Sequence, residues 1–159
     1  MHIRKAQPGD IPEIMRIYDA ARASMRRSGN MNQWINGYPS EELVREDIEQ
    51  GVSYVCCEDD ELYCVFAFIL GDDPTYARID DGEWPNSEPY GTIHRIGSDG
   101  RKQGLFPLCL DFCRGMIKTV RIDTHADNAP MHHILKKHGF TRCGIIYVYD
   151  GSPRVAYCN

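Results

Sequence analysis

The sequence has no hydrophobic segment long enough to cross a membrane, because none of its apolar runs approaches the roughly 18 residues that a bilayer span requires. The first five residues are largely polar and lead into a turn, so we expect no cleaved leader and a cytoplasmic protein. The composition, with 42% hydrophobic and 26% charged residues among 159, excludes a disordered chain and predicts one domain over residues 1–159.

The sequence also lacks an excess of positive charge, since 18 Lys and Arg residues stand against 23 Asp and Glu residues. The net charge of −5 argues against nucleic acid as a partner. The charges are unevenly placed: residues 94–118 hold five basic and two acidic residues, whereas residues 71–90 hold six acidic residues and one basic residue. This pattern favours a small anionic ligand over a polyanion.

No pair of the seven cysteines has the C-x-x-C spacing of a zinc ribbon or a redox motif. Because seven is also an odd number, we expect buried free thiols and no disulfide framework. His132 and His133 are adjacent and point away from each other on a helix, so they do not form a metal-ligand pair. The sequence therefore predicts no metal site.

Hydrophobic periodicity predicts strands and helices in the order βααβββαβαββ, an α+β fold around one mixed sheet. The predicted strands cover residues 2–5, 52–57, 62–70, 90–98, 120–124, 140–148 and 154–157. The predicted helices cover residues 10–28, 40–50, 103–119 and 128–138. Residues 71–89 form a long acidic loop, and loops of this length are usually functional or mobile.

The turn from Ser98 to Gly104, between a predicted strand and a predicted helix, is a candidate anion site. Backbone amides and the dipole at a helix N-terminus attract anions, and glycines allow a phosphate to approach closely. The turn has neither the Gly-Lys-Ser/Thr of a Walker loop nor the G-x-G-x-x-G of a dinucleotide site. On this segment alone, a phosphate site and a solvated turn are equally good interpretations.

Two motifs together resemble the GNAT superfamily of N-acetyltransferases. Residues 101–106, Arg-Lys-Gln-Gly-Leu-Phe, resemble the family's Arg/Gln-x-x-Gly-x-Gly/Ala motif and depart from it at Phe106. Asn128 opens a helix that ends in Gly139-Phe140, as in the family. The resemblance extends over the whole chain and implies a mixed, mostly antiparallel, twisted sheet flanked by about four helices.

The resemblance implies that acetyl-CoA lies between the fourth and fifth strands, with no metal involved. Main-chain groups of Ile96 and Ser98 would pair with the pantetheine arm, and Asn128 would hydrogen-bond the cofactor. Phe106 stands where the family has a small residue, so it either turns inward or weakens binding. The pyrophosphate would be held by amides of Arg101, Lys102, Gln103, Gly104, Leu105 and Phe106.

Acetyl transfer to an amine needs a base, and His94 is the candidate because it lies on the strand beside the expected thioester. The alternative is a histidine that only packs or hydrogen-bonds on its strand. Leu135 occupies the position of the family's usual acid, a tyrosine, so Tyr147 or Tyr149 would protonate the thiolate unless no acid is needed.

The acceptor is expected to lie against the loop of residues 32–38 and the acidic segment. Gln33, Trp34 and Tyr38 offer amphipathic surface and hydrogen-bonding groups, and Trp84 with its acidic neighbours would attract a cationic amine. The alternatives are an ordinary surface loop anchored by one tryptophan and a solvated acidic loop.

The sequence thus predicts an N-acetyltransferase that carries an acetyl group from acetyl-CoA to a primary amine of a small molecule or peptide by direct attack in a ternary complex. A non-catalytic acyl-CoA-binding or regulatory module is the alternative, because Leu135 and Phe106 replace family residues. A phosphate-binding module unrelated to CoA is a third interpretation. No membrane or nucleic-acid partner is expected, and a homodimer remains open.

Overall fold

The computed structural model describes all 159 residues, as seven strands, four α-helices and two short 3-10 turns. The strands are β1 His2–Lys5, β2 Ser53–Glu58, β3 Glu61–Leu70, β4 Tyr90–Ser98, β5 Thr119–Thr124, β6 Thr141–Tyr147 and β7 Pro153–Cys158. The helices are α1 Ile11–Arg27, α2 Glu41–Glu49, α3 Leu105–Arg114 and α4 Ala129–Lys137, and the 3-10 turns are Pro8–Asp10 and Pro74–Tyr76. None of these helices combines the length and the apolar character that a membrane span needs.

The strands form one sheet in the order β1-β2-β3-β4-β5-β7-β6. Only β4 and β5 are parallel, and every other neighbouring pair is antiparallel. The predicted α+β fold is therefore confirmed. The predicted helix over residues 103–119 is too long at both ends, because Gly104 has a left-handed backbone (φ 73°) that starts the helix at Leu105, and the chain turns at Gly115 before entering β5.

Helices α1 and α2 cover one face of the sheet, and α3 and α4 cover the other. Ile14 and Ile17 of α1 are fully buried against the face that carries Val55 and Val65. Each buried side chain of this size contributes about 1.5–3 kcal/mol of hydrophobic stabilisation. On the opposite face, α3 and α4 pack on aromatic and aliphatic residues of the central strands, including Phe66, Phe68, Val120 and Ile122.

Residues 71–89 lie on the face that carries α1. Tyr76 of this segment stacks on Tyr90 of β4 with ring centroids 6.2 Å apart, and it also contacts Trp84. The buried Arg121 guanidinium lies 4.0 Å from the Trp84 ring and 3.8 Å from the Tyr90 ring. The predicted loop is therefore a packed part of the domain.

All seven cysteines are buried and free, as the sequence predicted. Three of them, Cys56, Cys64 and Cys109, come from three different elements, and their Sγ atoms lie within 4.8 Å of one another. Burial raises the pKa of Cys113 to about 12 and that of Cys143 to about 11, which keeps both thiols protonated. No sequence spacing indicates the three-thiol cluster, because tertiary packing alone brings its members together.

Strand β4 changes its pairing halfway along its length. It pairs with β5 only from Tyr90 to Thr92, whereas its pairing with β3 continues to Ser98. The β3–β4 register shifts by one residue at Arg95, which has a left-handed backbone (φ 53°). From Ile93 onward, the edge of β4 that faces β5 has no strand partner, so a gap opens between the two strands.

Candidate active site

A cavity of about 410 Å³ lies in the gap between β4 and β5. Both strands contribute to its walls, because their unpaired ends diverge beyond Thr92. Its remaining walls come from three connecting segments, from Met25 of α1, from the start of α4 and from Arg154 of β7. The lining segments are residues 33–38, 73–75, 93–96, 122–124 and 148–150, together with the start of α4 and Arg154.

The His94 side chain faces this cavity and is held by Asp73. Its Nε2 lies 2.8 Å from Asp73 Oδ2, and the two side chains are 20% and 13% exposed. The other oxygen of Asp73, Oδ1, accepts from the backbone amide and the hydroxyl of Thr75, at 2.8 and 2.7 Å. The 3-10 turn that Asp73 caps therefore holds the Asp73 side chain in place, and Asp73 holds the His94 ring in place.

The charge on Asp73 determines which nitrogen of His94 carries the proton. Burial alone would raise the pKa of Asp73, but the hydrogen bonds from His94 and Thr75 outweigh it and lower the pKa to about 2. The carboxylate is thus ionised near neutral pH and accepts the hydrogen bond that the Nε2–H group of His94 donates. Neutral His94 therefore keeps a free lone pair on Nδ1, for which the structure gives no hydrogen-bond partner.

The predicted residues Gln33 and Asn128 meet in a buried polar network. Gln33 Oε1 accepts from Asn30 Nδ2 at 2.8 Å and from Asn128 Nδ2 at 3.1 Å. Asn128 Nδ2 also donates to Thr124 Oγ1 at 3.1 Å, and its Oδ1 caps α4 by accepting from the Met131 amide. Both amide hydrogens of Asn128 are thus used within the protein, so this side chain orders the cavity wall and has no donor left for a cofactor.

Trp34 and Tyr38, two further predicted residues, also line the cavity. Trp34 is 8% exposed and packs edge-on against Tyr18 of α1. Tyr38 is 39% exposed and lies at the mouth, with its hydroxyl 3.4 Å from Arg95 Nη1. The loop of residues 32–38 therefore supplies one side of the cavity, as expected.

The structure does not bring the predicted Trp84 and Tyr147 to the cavity. Trp84 donates from Nε1 to the Tyr76 carbonyl and stacks on Arg121, so it anchors residues 71–89 to the sheet. The Tyr147 hydroxyl donates to Asp80 Oδ2 at 3.0 Å, and its ring lies against Arg78. Neither side chain is placed to touch an acceptor, and Tyr147 is not placed to protonate a leaving group there.

The acidic segment does not form an acidic mouth, because most of its carboxylates lie elsewhere. Asp80 pairs with Arg78, and Asp81 pairs with Arg142 of β6. Of the six acidic residues in this segment, only Asp73 lines the cavity. The acidic segment therefore contributes one oriented carboxylate to the cavity and not a broad negative field.

The turn before α3 has an open surface and free backbone amides. Gly104 has a left-handed backbone, and a Cβ placed there would meet no atom within 4 Å, so the surface is open. Helix α3 begins at Leu105, and the amides of its first turn have no intrahelical acceptor. Phe106 is 7% exposed and turns inward, with its ring centroid 6.3 Å from that of Phe140. The departure from the family motif therefore does not obstruct the turn.

The two basic side chains of this turn are already paired. Arg101 donates to Asp99 at 2.7 Å and to the Leu62 carbonyl at 2.9 Å, while Lys102 Nζ lies 2.6 Å from Glu58 Oε2. Both point toward the β2–β3 hairpin. Backbone amides and the helix dipole, and not these side chains, make the turn suitable for an anion.

Asp73, Asp123 and Arg154 line the cavity, although the sequence did not predict any of them as a site residue. Asp123 Oδ2 accepts from the buried Tyr76 hydroxyl at 2.7 Å, and burial raises the pKa of Asp123 despite the opposing effects of His94 and Tyr76. An acidic residue inside a predicted strand was the available signal for Asp123. Nothing in the sequence distinguishes Asp73 from its acidic neighbours.

No protein-family model and no curated protein matches the chain. Solved structures do match it. A GNAT-family acetyltransferase from Streptococcus agalactiae is 35% identical, with 99% of this chain and 94% of that chain covered and a TM-score of 0.90.

More distant structures share the fold. A GNAT-family acetyltransferase from Listeria monocytogenes is 16% identical over 99% of this chain and 93% of that chain, with a TM-score of 0.72. The ribosomal-protein-S18-alanine N-acetyltransferase of Escherichia coli is 15% identical over 99% and 91% of the two chains, with a TM-score of 0.62. The likeness to the streptococcal enzyme, over almost the full length of both chains, shows that this protein is an acetyltransferase of the GNAT family.

Proposed function

We propose that the protein transfers the acetyl group of acetyl-CoA to a primary amine in a ternary complex, with His94 as the general base. The observation that carries this proposal is the hydrogen bond between His94 and Asp73 inside the cavity. It leaves the lone pair of Nδ1 free at the place where the two central strands separate.

The residues around the gap fit a CoA thioester. The open turn at Gly104 and the first amides of α3 would hold the pyrophosphate, and the unpaired edge of β4 at Ile96 and Ser98 would pair with the pantetheine arm. When bound, acetyl-CoA supplies the acetyl group as a thioester and leaves as a thiolate.

The chain's own contribution to the chemistry is to make the amine nucleophilic. An amine arrives as an ammonium ion and must lose a proton before it attacks, and His94 accepts this proton at Nδ1. Asp73 stabilises the imidazolium that forms, and it prevents the ring from turning. A thiol has an ordinary pKa of about 8.5, so the thiolate leaves without an acid, and the buried Leu135 at the usual tyrosine position is no obstacle.

The test replaces His94 with glutamine, which preserves polarity and removes the base. We expect kcat for primary amines to fall by about 10²- to 10⁴-fold while the affinity for acetyl-CoA stays within twofold. Thiol release measures the first quantity, and calorimetry measures the second. The contribution of His94 to the acid limb of the kcat/KM profile against pH should disappear, while that of the substrate ammonium group remains.

His133→Gln is the matched control, because His133 is exposed on α4 and outside the cavity. Unchanged turnover in the His94→Gln variant would remove His94 from the mechanism. Failure of the wild-type protein to bind acetyl-CoA would refute the proposal as a whole.

A further inference from the structure

The part of the sheet that lines the cavity, called here the cavity floor, carries His94 on β4, Asp123 on β5 and Arg154 on β7. Thr92 of β4 pairs with Arg121 of β5, so His94 and Asp123, two residues further on, project from the same face of the sheet. Asp123 pairs with Ala156 of β7, so Arg154 is its diagonal neighbour on that face. The order across the floor is thus a base, a carboxylate and a guanidinium.

Asp123 presents one oxygen that the protein leaves free. Its Oδ2 accepts from the Tyr76 hydroxyl at 2.7 Å, whereas no protein group donates to Oδ1. The side chain lines the cavity, where an ammonium group between it and His94 would find one acceptor on each side. This arrangement suits the amino group that reacts.

Arg154 is the cavity's only arginine without a carboxylate partner. The other one, Arg95, is held by Asp47 through two hydrogen bonds of 2.8 and 2.9 Å. The single hydrogen bond of the Arg154 guanidinium goes to the Pro153 carbonyl, and Arg154 forms no ion pair with Asp123 although the two are neighbours. The space between the Asp123 carboxylate and the Arg154 guanidinium suits a ligand that carries one positive and one negative charge.

Three large apolar side chains among the residues that line the cavity are exposed. Ile35 and Tyr38 are 40% and 39% exposed, and Tyr149 is 88% exposed. Large apolar side chains that remain exposed at a cavity mouth usually serve a ligand. A ligand anchored by its charges on the floor would therefore place an apolar group at the mouth.

Building on the proposed amine acetylation, we propose that the acceptor is a free α-amino acid with an apolar side chain. Its amino group lies between His94 and Asp123, and its carboxylate pairs with Arg154. One carbon separates the two charged groups of an α-amino acid, which matches the order of charges on neighbouring strands. The ammonium group first gives one proton to His94 Nδ1, and the neutral amino nitrogen then forms the new N–C bond. The thioester C–S bond breaks and the thiolate keeps the electron pair, and the second proton that leaves the nitrogen as the amide forms passes to the thiolate.

The experiment compares acceptors that differ only at the carboxylate: L-phenylalanine, L-phenylalaninamide and phenethylamine, with the corresponding leucine set as a second series. We expect kcat/KM for the amino acid to exceed the values for the amide and the amine by at least about tenfold, because either analogue leaves the Arg154 guanidinium unpaired. Thiol release gives the rates, and mass spectrometry identifies the acetylated product.

Arg154→Gln should reduce the ratio of kcat/KM between amino acid and amide by about 10- to 100-fold, toward one. Arg45→Gln is the control, because it removes the same charge from an exposed position on α2 where Arg45 pairs only with Glu41. Its ratio should equal that of the wild type.

The inference is overturned if the amide or the amine reacts as well as the amino acid, or if Arg154→Gln keeps the wild-type ratio. It is also overturned if acetyl-CoA binds but no apolar amino acid is acetylated. Loss of acetyl-CoA binding, measured by calorimetry in the same preparation, would instead count against the proposed function. The two failures are therefore distinguishable.

Discussion

Two segments expected to contact the acceptor, residues 32–38 and residues 71–89, behave differently in the folded protein. The first places Gln33, Trp34 and Tyr38 on the cavity wall. The second packs Trp84 on the sheet, leaves most of its carboxylates exposed to solvent and sends only Asp73 and Thr75 to the cavity. The difference shows that the composition of a loop does not determine its role. One hydrogen-bonded side chain in the right position contributes more to the site than a run of charge.

The strongest test of this comparison is Asp73→Asn. We expect kcat to fall by about 100-fold, because asparagine leaves His94 without the negative charge that fixes its tautomer and stabilises its protonated form. The KM for acetyl-CoA should change little. Steady-state kinetics with the best acceptor provides the measurement.

Asp72→Asn is the adjacent control, since Asp72 is exposed and outside the cavity. If both variants lose the same activity, the segment acts through its total charge, and the distinction between Asp73 and its neighbours is wrong.

The first segment is tested by Gln33→Leu, which should affect stability more than chemistry. The change removes the oxygen that accepts from Asn30 and Asn128 and leaves buried amide groups unsatisfied. A loss of about 2 kcal/mol in the free energy of unfolding is expected, measured by urea denaturation. A stability equal to that of the wild type would mean that the polar network contributes nothing to the wall.

The smallest expected effect is on acid stability. The folded-state pKa of Asp73 is about 2, below its ordinary value of 3.8, so its ionised form stabilises the fold above that ordinary value, and this contribution is lost as the pH falls toward 2. The difference in unfolding free energy between the wild type and Asp73→Asn should therefore shrink by about 1–2 kcal/mol between about pH 5 and about pH 2. A constant difference would contradict the lowered pKa.

Local sequence signals were sufficient for the order of the strands and helices. Ser40 caps α2, Asn128 caps α4 and the left-handed Gly139 follows its end, and each of these acts within one helical turn. The strand pattern placed His94 on β4, and the resemblance to the GNAT family placed the expected thioester beside that strand. The sequence also indicated the turn at Gly104.

The rest of the site depends on contacts between residues far apart in the sequence. Asp73 and His94 are 21 positions apart, and Gln33 and Asn128 are 95 positions apart. Asp123 and Arg154 become neighbours only through the pairing of β5 with β7. The sequence cannot indicate these pairs, because each depends on strand register or on how a long connection packs.

The left-handed residue Arg95 alters the usual side-chain alternation of β4. His94 and the Cβ position of Gly97 both face the α1 side although the two residues are three positions apart. Their partners Ala67 and Val65 are only two positions apart, so β4 carries one extra residue between them. Asp47 binds the Arg95 guanidinium, and the Tyr18 hydroxyl donates to the Arg95 carbonyl, so this conformation is held from two sides. Anyone who aligns a distant relative or grafts this site onto another scaffold must therefore keep the extra residue, since a gap of one position here would move the base to the wrong side of the sheet.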